Sequence, residues 1–578
     1  MMKLNMKAIA GSVALSAIAL LPAGLEAQAT TPYVVMAGSS AMFNTMGFAA
    51  FEQNNQGYNL CGPHHWSYKG GAAGSATFVG IHDSRSSAIA DEPATVWVSW
   101  NDAEINGGTN PKVCAFAQVD STVGVRAAFA RTSSGTPAAS ISINASFVGV
   151  AGQNKVPAAS IADEALPANV YTTLNGAAIT VAAADIRPED AKFATTRTLT
   201  ALGTNMTQSL LNGVKGLGYA NPSTPGIGYP IQSSQSTTIA NPVDFALFGS
   251  DPISGGAAAS TFAAYQVGAG PAMIFVNTSN SAAYHLGDAS LTNINSSVLS
   301  GFLDGTYSRT RDMFNATGVA DYPVKTFIRE PLSGTMNVVE YNVPNSFRYF
   351  TSQEKGVLGG APSSSNTSNP LALAGNSTGS GRYRAVGTGE EVSTVIKAAN
   401  ADSLGYAFWS YGNFAAVTSG SIARYLTVDG VDPLYSGPSA NPNGVGVFPT
   451  KSGSTYPVLT FPNIVNGSYP AWTIFRLIVV PEANKSAVQN FVTIAQDDAA
   501  VFSDFIPAPS LKVFRSHFYT ANIGGDDGHV FDSADGVYYP EAGGDVGGTV
   551  YPIQADYDFI ADSVANGNGI KQLINRHQ

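Results

Sequence analysis

Charged residues are scarce in this chain of 578 residues. Lys, Arg, Asp and Glu together make up 12% of the sequence, about half of the ~25% that is usual in soluble proteins. The formal net charge is −11 and no run of Lys or Arg stands out, which argues against a nucleic-acid-binding surface. With 44% hydrophobic residues, the chain also lacks the low hydrophobicity and high charge of a disordered protein.

Long hydrophobic runs are also missing, apart from one near the N-terminus. Lys3 and Lys7 precede an apolar stretch from Ala8 to about Leu21, and Ala27-Gln28-Ala29 fits a cleavage site of the A-x-A type. We therefore predict a signal peptide over residues 1–29 and a periplasmic or secreted mature protein. No later segment approaches ~18 apolar residues, so we expect no transmembrane helix.

Cysteine is nearly absent, since only Cys61 and Cys114 occur. In an oxidising compartment the two residues are candidates for one disulfide, and the alternative is two separate buried thiols. A zinc site needs more ligands than this pair, and the neighbouring His64 and His65 provide no tetrahedral spacing. We expect no metal and no cofactor.

Short apolar segments alternate with helical patterns along the chain. Residues 33–37 form a predicted strand that leads through Gly-Ser-Ser into a helix over 41–51, and residues 272–277 form another buried strand. A helix over 390–399 precedes a strand over 404–409, and a helix is predicted over 486–505. This alternation predicts the α/β class.

One stretch has a different texture. Residues 120–185 are rich in Ser, Thr, Ala, Gly and Val and alternate with a period of two in places. That pattern is typical of half-buried strands. We therefore predict a β-rich insertion of about 101–240.

The clearest chemical motif is a loop that follows a strand-like VKTFI segment. It carries Arg329, then Ser333, Gly334 and Thr335 at what can be the start of a helix. A helix N-terminus offers free N–H groups and the positive end of a dipole. Hydroxyls, an arginine fork and a glycine that admits close backbone approach complete a candidate anion site. The alternative is an ordinary helix cap beside a surface arginine.

Two further turns have similar chemistry, but each is a weak signal alone. Ser39, Ser40 and Ala41 lie between the first strand and the first helix, where Ser is a common cap. Gly74 and Ser75 end the Gly-rich segment Tyr-Lys-Gly-Gly-Ala-Ala-Gly-Ser.

An acidic residue is also a candidate, in one of two places. Asp190 lies in the stretch 185–191 and Asp251 in the stretch 248–252, and we favour Asp251 slightly. A carboxylate in an anion site accepts a hydrogen bond from a ligand that carries a proton, as phosphate does near neutral pH, and repels sulfate, which has none. The alternative for either aspartate is a helix cap.

Taken in order, these motifs resemble those of the phosphate-binding subunit of phosphate ABC transporters, among the type II periplasmic binding proteins. Residues 329–335 match the family's Arg-x-x-x-Ser-Gly-Thr without gaps, residues 38–43 match its opening loop, and the segment ending at Ser75 matches its Gly-Ser loop loosely. The resemblance extends from about residue 33 to about 518. The family often has an acidic residue two positions after the arginine, where this chain has Pro331.

The resemblance implies a two-lobed α/β clamp with an anion in the cleft between the lobes. Residues 30–275, including the insertion, would form the first part of lobe one, 276–468 lobe two, and 469–578 the return to lobe one with a C-terminal extension. The implied phosphate-binding residues are Ser39, Ser40, Ala41, Gly74, Ser75, Asp190, Asp251, Arg329, Ser333, Gly334 and Thr335.

The function implied is binding of inorganic phosphate by a monomer that delivers it to the membrane subunits of an ABC permease. The alternative from another class is a secreted scaffold that keeps the clamp fold without transport. An enzyme is less well supported, because the G-x-S-x-G match at 375–379 lies in a Ser/Asn-rich loop and not between a strand and a helix. The Asp/Gly-rich segment 524–549 fails the calcium-binding EF-hand spacing.

Overall fold

The computed structural model of the chain describes residues 31–52, 60–85, 91–156, 161–188, 191, 245–247, 249–329, 333–343, 353, 371–372, 381–385, 387–417, 422–450, 456–499, 502–512, 515–517, 529–532, 537–540, 545–547 and 557–560. The predicted signal peptide and the loop at 375–379 lie outside the described residues.

Strands dominate the described part of the chain. They are β1 (Val34–Gly38), β2 (His64–Lys69), β3 (Val79–Asp83), β4 (Glu92–Pro93), β5 (Thr95–Trp100), β6 (Val113–Gln118), β7 (Ala139–Ile143), β8 (Val181–Ala184), β9 (Thr261–Asn277), β10 (Asn293–Ile294), β11 (Lys325–Arg329), β12 (Leu371–Ala372), β13 (Gly381–Ala385), β14 (Ser403–Phe408), β15 (Ala423–Val428), β16 (Trp472–Val479), β17 (Ile506–Pro507), β18 (Arg515–His517), β19 (His529–Asp532), β20 (Val537–Pro540), β21 (Asp545–Gly547) and β22 (Tyr557–Ile560).

Helices alternate with these strands. The α-helices are α1 (Ser40–Phe51), α2 (Asp102–Asn106), α3 (Ser121–Phe129), α4 (Ala168–Leu174), α5 (Ser296–Asp304), α6 (Thr310–Phe314), α7 (Gly334–Asn342), α8 (Thr388–Val395), α9 (Pro462–Val465) and α10 (Lys485–Asp498). Short 3-10 helices cover Ala145–Phe147, Ala398–Asn400, Pro438–Ala440 and Ala508–Ser510.

One long mixed sheet organises these elements. Its strand order is β12-β13-β11-β14-β9-β16-β8-β1-β6-β5-β2. β1 is parallel to both β6 and β8, and β11 is parallel to both β13 and β14. Helices follow the parallel strands, so the predicted α/β class is confirmed.

The longest strand connects two parts of this sheet. β9 pairs with β16 as far as Pro271 and with β14 from Ala272 onward. We call the part from β2 to β16 lobe one and the part from β14 to β12 lobe two. The chain therefore passes from one lobe to the other inside a strand, without leaving the sheet.

The predicted insertion of about 101–240 contains strands of the main sheet. β6 and β8 come from this stretch, and they flank β1 at the centre of lobe one. Their small residues, such as those of Val181–Ala184, are all buried. These two strands therefore belong to the main sheet and not to an insertion, which corrects the predicted bounds. Residues 192–244 lie outside the described residues.

Two predicted helices end earlier than expected. The helix predicted over 390–399 is α8, which ends at Val395 and is followed by a 3-10 turn. The helix predicted over 486–505 is α10, which ends at Asp498. Two consecutive acids, Asp497 and Asp498, end α10, where the negative end of the helix dipole disfavours them.

A disulfide joins Cys61 and Cys114, whose Cα atoms are 6.0 Å apart. Cys114 lies in β6 opposite Val34 of β1. The bond therefore fastens the segment before β2 to the centre of the sheet in lobe one.

Candidate functional site

The carboxyl ends of the parallel strands meet at one edge of the sheet in each lobe. In lobe one, Ser39 follows β1, Asp120 and Ser121 follow β6, and Asp185 follows β8. In lobe two, Arg329 is the last residue of β11, and Thr388 follows β13. Ligands of open α/β sheets bind outside the carboxyl ends of strands, and here two such edges face each other.

Four helices begin at these strand ends, which are α1, α3, α7 and α8. Two of them carry serine caps, because Ser39 Oγ accepts a hydrogen bond from Ala41 N at 3.3 Å and Ser333 Oγ accepts one from Met336 N at 3.3 Å. The remaining N–H groups of each first turn, together with the helix dipoles, favour negative charge.

Arg329 crosses from lobe two to lobe one. Its side chain is only 2% exposed, and its Nη2 lies 2.8 Å from Asp120 Oδ1. Its Nη1 donates to Thr388 Oγ1 at 2.5 Å, and its Nε lies 3.9 Å from Glu391 Oε2. These two carboxylates hold the guanidinium in place, a role that the resemblance assigns to an acid at the position of Pro331.

A second contact between the lobes involves Ser40 and Thr388. Ser40 Oγ lies 3.2 Å from Thr388 Oγ1. Thr388 therefore contacts both Arg329 of its own lobe and the first turn of α1 in the other.

Asp185 lies against the start of α7 from the opposite lobe. Its carboxylate accepts hydrogen bonds from Ser121 Oγ and, at 3.3 Å, from Ser39 Oγ. Gly334 packs so closely that a Cβ there would overlap Asp185 Oδ1 and crowd Ser121 Oγ. Only glycine allows this approach of the two lobes.

Burial raises the pKa of Asp185 to about 6, although the hydroxyl of Ser121 and the charge of Arg329 act in the opposite direction. An apolar environment penalises the charged form of a carboxyl group. Asp185 can therefore hold or release a proton near neutral pH.

We call the five residues Ser39, Asp120, Asp185, Arg329 and Thr388 the interlobe cluster. A cleft of about 650 Å³ opens onto it, lined by Ser40, Asp120, Arg329 and Thr388 on its inner side. Residues of both lobes therefore line one cavity.

The structure brings some of the residues predicted from the sequence together. Ser39, Ser40 and Ala41 lie at the start of α1. Ser333, Gly334 and Thr335 lie at the start of α7 and are close to Arg329 in the chain and to Asp185 in space.

Other predicted residues lie elsewhere. Gly74 and Ser75 belong to a turn between β2 and β3, where Ser75 Oγ contacts Thr77 Oγ1 at 3.2 Å, and they do not line the cleft. The end of β2 borders the cleft at Lys69 and Gly70, whereas Gly74 and Ser75 lie farther along the turn. Asp190 lies outside the described residues.

Asp251 is buried within lobe one and contacts residues other than those of the interlobe cluster. Its Oδ2 lies 3.0 Å from Arg85 Nη1 and accepts a hydrogen bond from Arg131 N at 3.2 Å. Its Oδ1 caps the turn that follows it, accepting from Ile253 N at 2.9 Å. These partners give Asp251 a structural role inside the lobe.

Sequence analysis missed Asp120, Ser121, Asp185 and Thr388 as site residues. The signal was present, because Asp120 and Ser121 lie directly between a buried strand and a helix. Asp185 begins the candidate stretch 185–191, in which the sequence analysis favours Asp190. The missing information was that β6 and β8 flank β1.

Metal chemistry and membrane insertion find no support in the described residues. Within them, no group of three or more His, Cys, Asp or Glu side chains is arranged to hold a metal ion. Among the helices that the structure describes, none has the length and apolarity needed to cross a membrane. Of the acidic segment 524–549, Asp526, Asp527 and Asp535 lie outside the described residues.

Comparisons with known proteins give similar structures but no sequence relatives. No protein-family model matches the chain, and no curated protein matches it. A phosphate-binding protein from Stenotrophomonas maltophilia is 12% identical, with 83% of this chain and 90% of that one covered and a TM-score of 0.30.

Two other solved structures are similar over less of the chain. An ABC-type phosphate transport receptor from Vibrio cholerae is 12% identical over 41% of this chain and 68% of that one, with a TM-score of 0.24. A human phosphate-binding apolipoprotein is 15% identical, with 43% of this chain and 70% of that one covered, and its TM-score is also 0.24. At these TM-scores the ligand of this chain has to be inferred from its own residues.

Proposed function

We propose that this chain binds inorganic phosphate between its two lobes. The observation that carries the proposal is that buried groups of opposite lobes come together where four helices begin, with Arg329 paired to Asp120 and Asp185 against Gly334. Helix N-termini supply N–H donors, and arginine supplies a fork that fits a tetrahedral oxyanion. No bulk solvent competes for these donors once the lobes are closed.

The ligand takes the place of contacts that the site residues make with one another. In the closed arrangement Arg329 donates to Thr388, and Asp185 lies against Gly334. When the lobes part by a hinge motion, the guanidinium, the hydroxyls and the helix N-termini become available to phosphate oxygens. Closure on the ligand then restores a fully hydrogen-bonded interior, which a buried anion requires.

Asp185 supplies the selectivity in this proposal. A protonated phosphate oxygen donates a hydrogen bond to its carboxylate, whereas sulfate near neutral pH has no proton to donate and would be repelled. The hydroxyls of Ser39 and Ser121 hold the carboxylate oriented for that contact.

We further propose that the protein is exported and delivers phosphate to an ABC permease. The export part rests on the N-terminal Lys3–Ala29 pattern and on a disulfide that suits an oxidising compartment. The delivery part rests on the resemblance of residues 329–335 to the transport family.

Calorimetry on the purified protein, stripped of bound phosphate, tests the binding step. We expect micromolar or tighter binding of phosphate that excess sulfate does not displace. Arg329→Met should weaken it by at least ~30-fold, since truncating one partner of a buried charge pair costs about 2–5 kcal/mol. The matched control is Arg311→Met, because the Arg311 side chain is 59% exposed and is not among the residues that line the cleft.

Two results would overturn the proposal. One is the absence of heat and of a thermal shift with phosphate, which would favour the scaffold alternative. The other is equal loss of affinity in both arginine variants.

A further inference from the structure

The cleft next to the interlobe cluster is much larger than an orthophosphate ion needs. Its volume is about 650 Å³. One water occupies roughly 30 Å³ in the liquid, so the cleft has room for on the order of twenty waters, whereas orthophosphate has five heavy atoms. Sites of 300–1,000 Å³ are typical of ligands the size of small organic molecules.

Two lysines mark the rim of this cleft, one from each lobe. Lys69 ends β2 in lobe one, and Lys397 follows α8 in lobe two. Both residues are exposed, and neither ammonium group has an ion-pair partner among the residues that the structure describes. Acidic residues outnumber basic ones in this chain by 40 to 29, so two unpaired cations facing one cavity are a specific feature.

The charges that line the cleft favour a ligand with several negative groups. Among the described residues of the lining, the cations are Arg329, Lys69 and Lys397, and the anions are Asp120, which is paired with Arg329, and Glu390. Arg329 lies at the inner end, and the lysines lie at the rim. A ligand that contacts all three cations must carry negative charge along its length.

The remaining lining indicates what the ligand lacks. Thr95, Gln118 and Ser393 contribute hydroxyl and amide groups, and the described part of the lining contains no aromatic side chain. These residues therefore do not favour a ligand with a nucleobase, which would stack on aromatic rings, or with an acyl chain, which would pack on apolar side chains. The lining suits a ligand that presents oxygen atoms throughout.

We propose that the site accepts short condensed phosphates, with one terminal phosphoryl group at the interlobe cluster and the next groups between Lys69 and Lys397. This inference rests on the proposed phosphate-binding function of the same cluster. Because the lysines come from opposite lobes, a chain of phosphoryl groups between them also stabilises the closed arrangement. Orthophosphate does not reach the rim and gains nothing from either lysine.

Calorimetry in metal-free buffer at low ionic strength tests the proposal with orthophosphate, pyrophosphate, tripolyphosphate and glycerol 3-phosphate. We expect tripolyphosphate to bind about tenfold more tightly than orthophosphate, because each exposed ion pair with a lysine adds a modest increment to the affinity. The double variant Lys69→Met/Lys397→Met should abolish that advantage and leave orthophosphate affinity unchanged. Lys512→Met is the matched control, since Lys512 is exposed and lies outside the cleft lining.

The outcomes separate this inference from the function on which it rests. If orthophosphate binds but tripolyphosphate binds no better, or if glycerol 3-phosphate binds more tightly than tripolyphosphate, the condensed-phosphate proposal fails and the proposed function stands. If no phosphate compound binds, the proposed function fails as well. An advantage of tripolyphosphate that survives in the double variant would show that the lysines are not responsible.

Discussion

The described residues include two clusters of buried arginine and aspartate, one between the lobes and one inside lobe one. In the interlobe cluster, Arg329 and Asp120 come from opposite lobes, form an ion pair and line a cleft. In the second, which we call the lobe-one cluster, Arg85 binds Asp83 through Nη2 at 2.7 Å and Asp251 through Nη1 at 3.0 Å. Both partners of Arg85 belong to its own lobe.

The difference shows that burial of charge is not by itself a mark of a ligand site. In the lobe-one cluster each carboxylate has its cation inside the same rigid lobe, so the charges are neutralised in every state of the clamp. In the interlobe cluster the partners belong to different lobes, so the proposed parting of the lobes would separate them and let a ligand replace them. Four predictions follow from this contrast, in order of decreasing expected effect.

Arg85→Met should destabilise the protein without affecting the ligand. Removing one partner of a buried ion pair leaves an uncompensated charge and costs about 3–5 kcal/mol, here at Asp83 and Asp251. We expect the free energy of unfolding in urea to fall by that amount, while phosphate affinity below the transition stays within about threefold of the wild type. A large loss of phosphate affinity in the folded variant would show that the lobe-one cluster also affects the ligand site.

Gly334→Ala should prevent the lobes from closing. The added Cβ would overlap the carboxylate of Asp185 in the other lobe, so we expect phosphate affinity to fall on the order of 100-fold, or about 2.7 kcal/mol. Gly389→Ala is the control, because a Cβ there meets nothing within 4 Å and Gly389 also lines the cleft. Equal affinities in the two alanine variants would contradict the closed contact.

The two clusters should give opposite dependences of stability on pH. Burial raises the pKa of Asp185 to about 6 from 3.8. Its contribution to the free energy of unfolding is therefore present below pH 4 and is lost as the pH rises through 6. Burial acts in the same direction on Asp83, but the hydrogen bonds and charge of Arg85 outweigh it and lower its pKa. The contribution of Asp83 is therefore present above pH 4 and is lost on acidification.

Urea unfolding of phosphate-free protein measures both effects. The wild type and the Asp185→Asn variant differ in their free energy of unfolding. This difference, wild type minus variant, should decrease by on the order of 2 kcal/mol as the pH rises from 4 to 8. The same difference for Asp83→Asn should instead decrease as the pH falls below 4. Parallel curves for the two variants would show that the clusters do not differ in this way.

Asp185→Asn should also weaken the discrimination between phosphate and sulfate. The asparagine amide can donate to an unprotonated oxyanion, which the carboxylate cannot do. We expect the ratio of the two affinities to fall about tenfold, or ~1.4 kcal/mol, in competition calorimetry at pH 7. An unchanged ratio would place the selectivity at another residue.

Local parts of the site could be predicted from the sequence. The strand–turn–helix unit ending in α1 and the loop from Arg329 to Thr335 are continuous in the chain, and their residue types suffice to indicate helix starts with anion-binding groups. The α/β class follows from the same local alternation.

Long-range neighbours could not be predicted in the same way. Asp120 and Asp185 belong to the site only because β6 and β8 pair with β1, and these pairings join residues about 80 and 145 positions apart in the chain. Their Ala- and Ser-rich surroundings resembled an insertion. Gly74 and Ser75 match a familiar loop by composition, but the turn that carries them lies outside the cleft lining.

The path of the chain between the lobes has a consequence for how the protein responds to cleavage. Among the described residues, the backbone crosses to lobe two near Pro271 and returns to lobe one near Ala471, and a hydrogen bond links the two crossings, with Ala272 N donating to Ala471 O at 2.7 Å. A protease that cut one of these crossings would leave the other intact. We expect such a nicked molecule to elute as a single species in native size-exclusion chromatography and to separate into fragments only in denaturant.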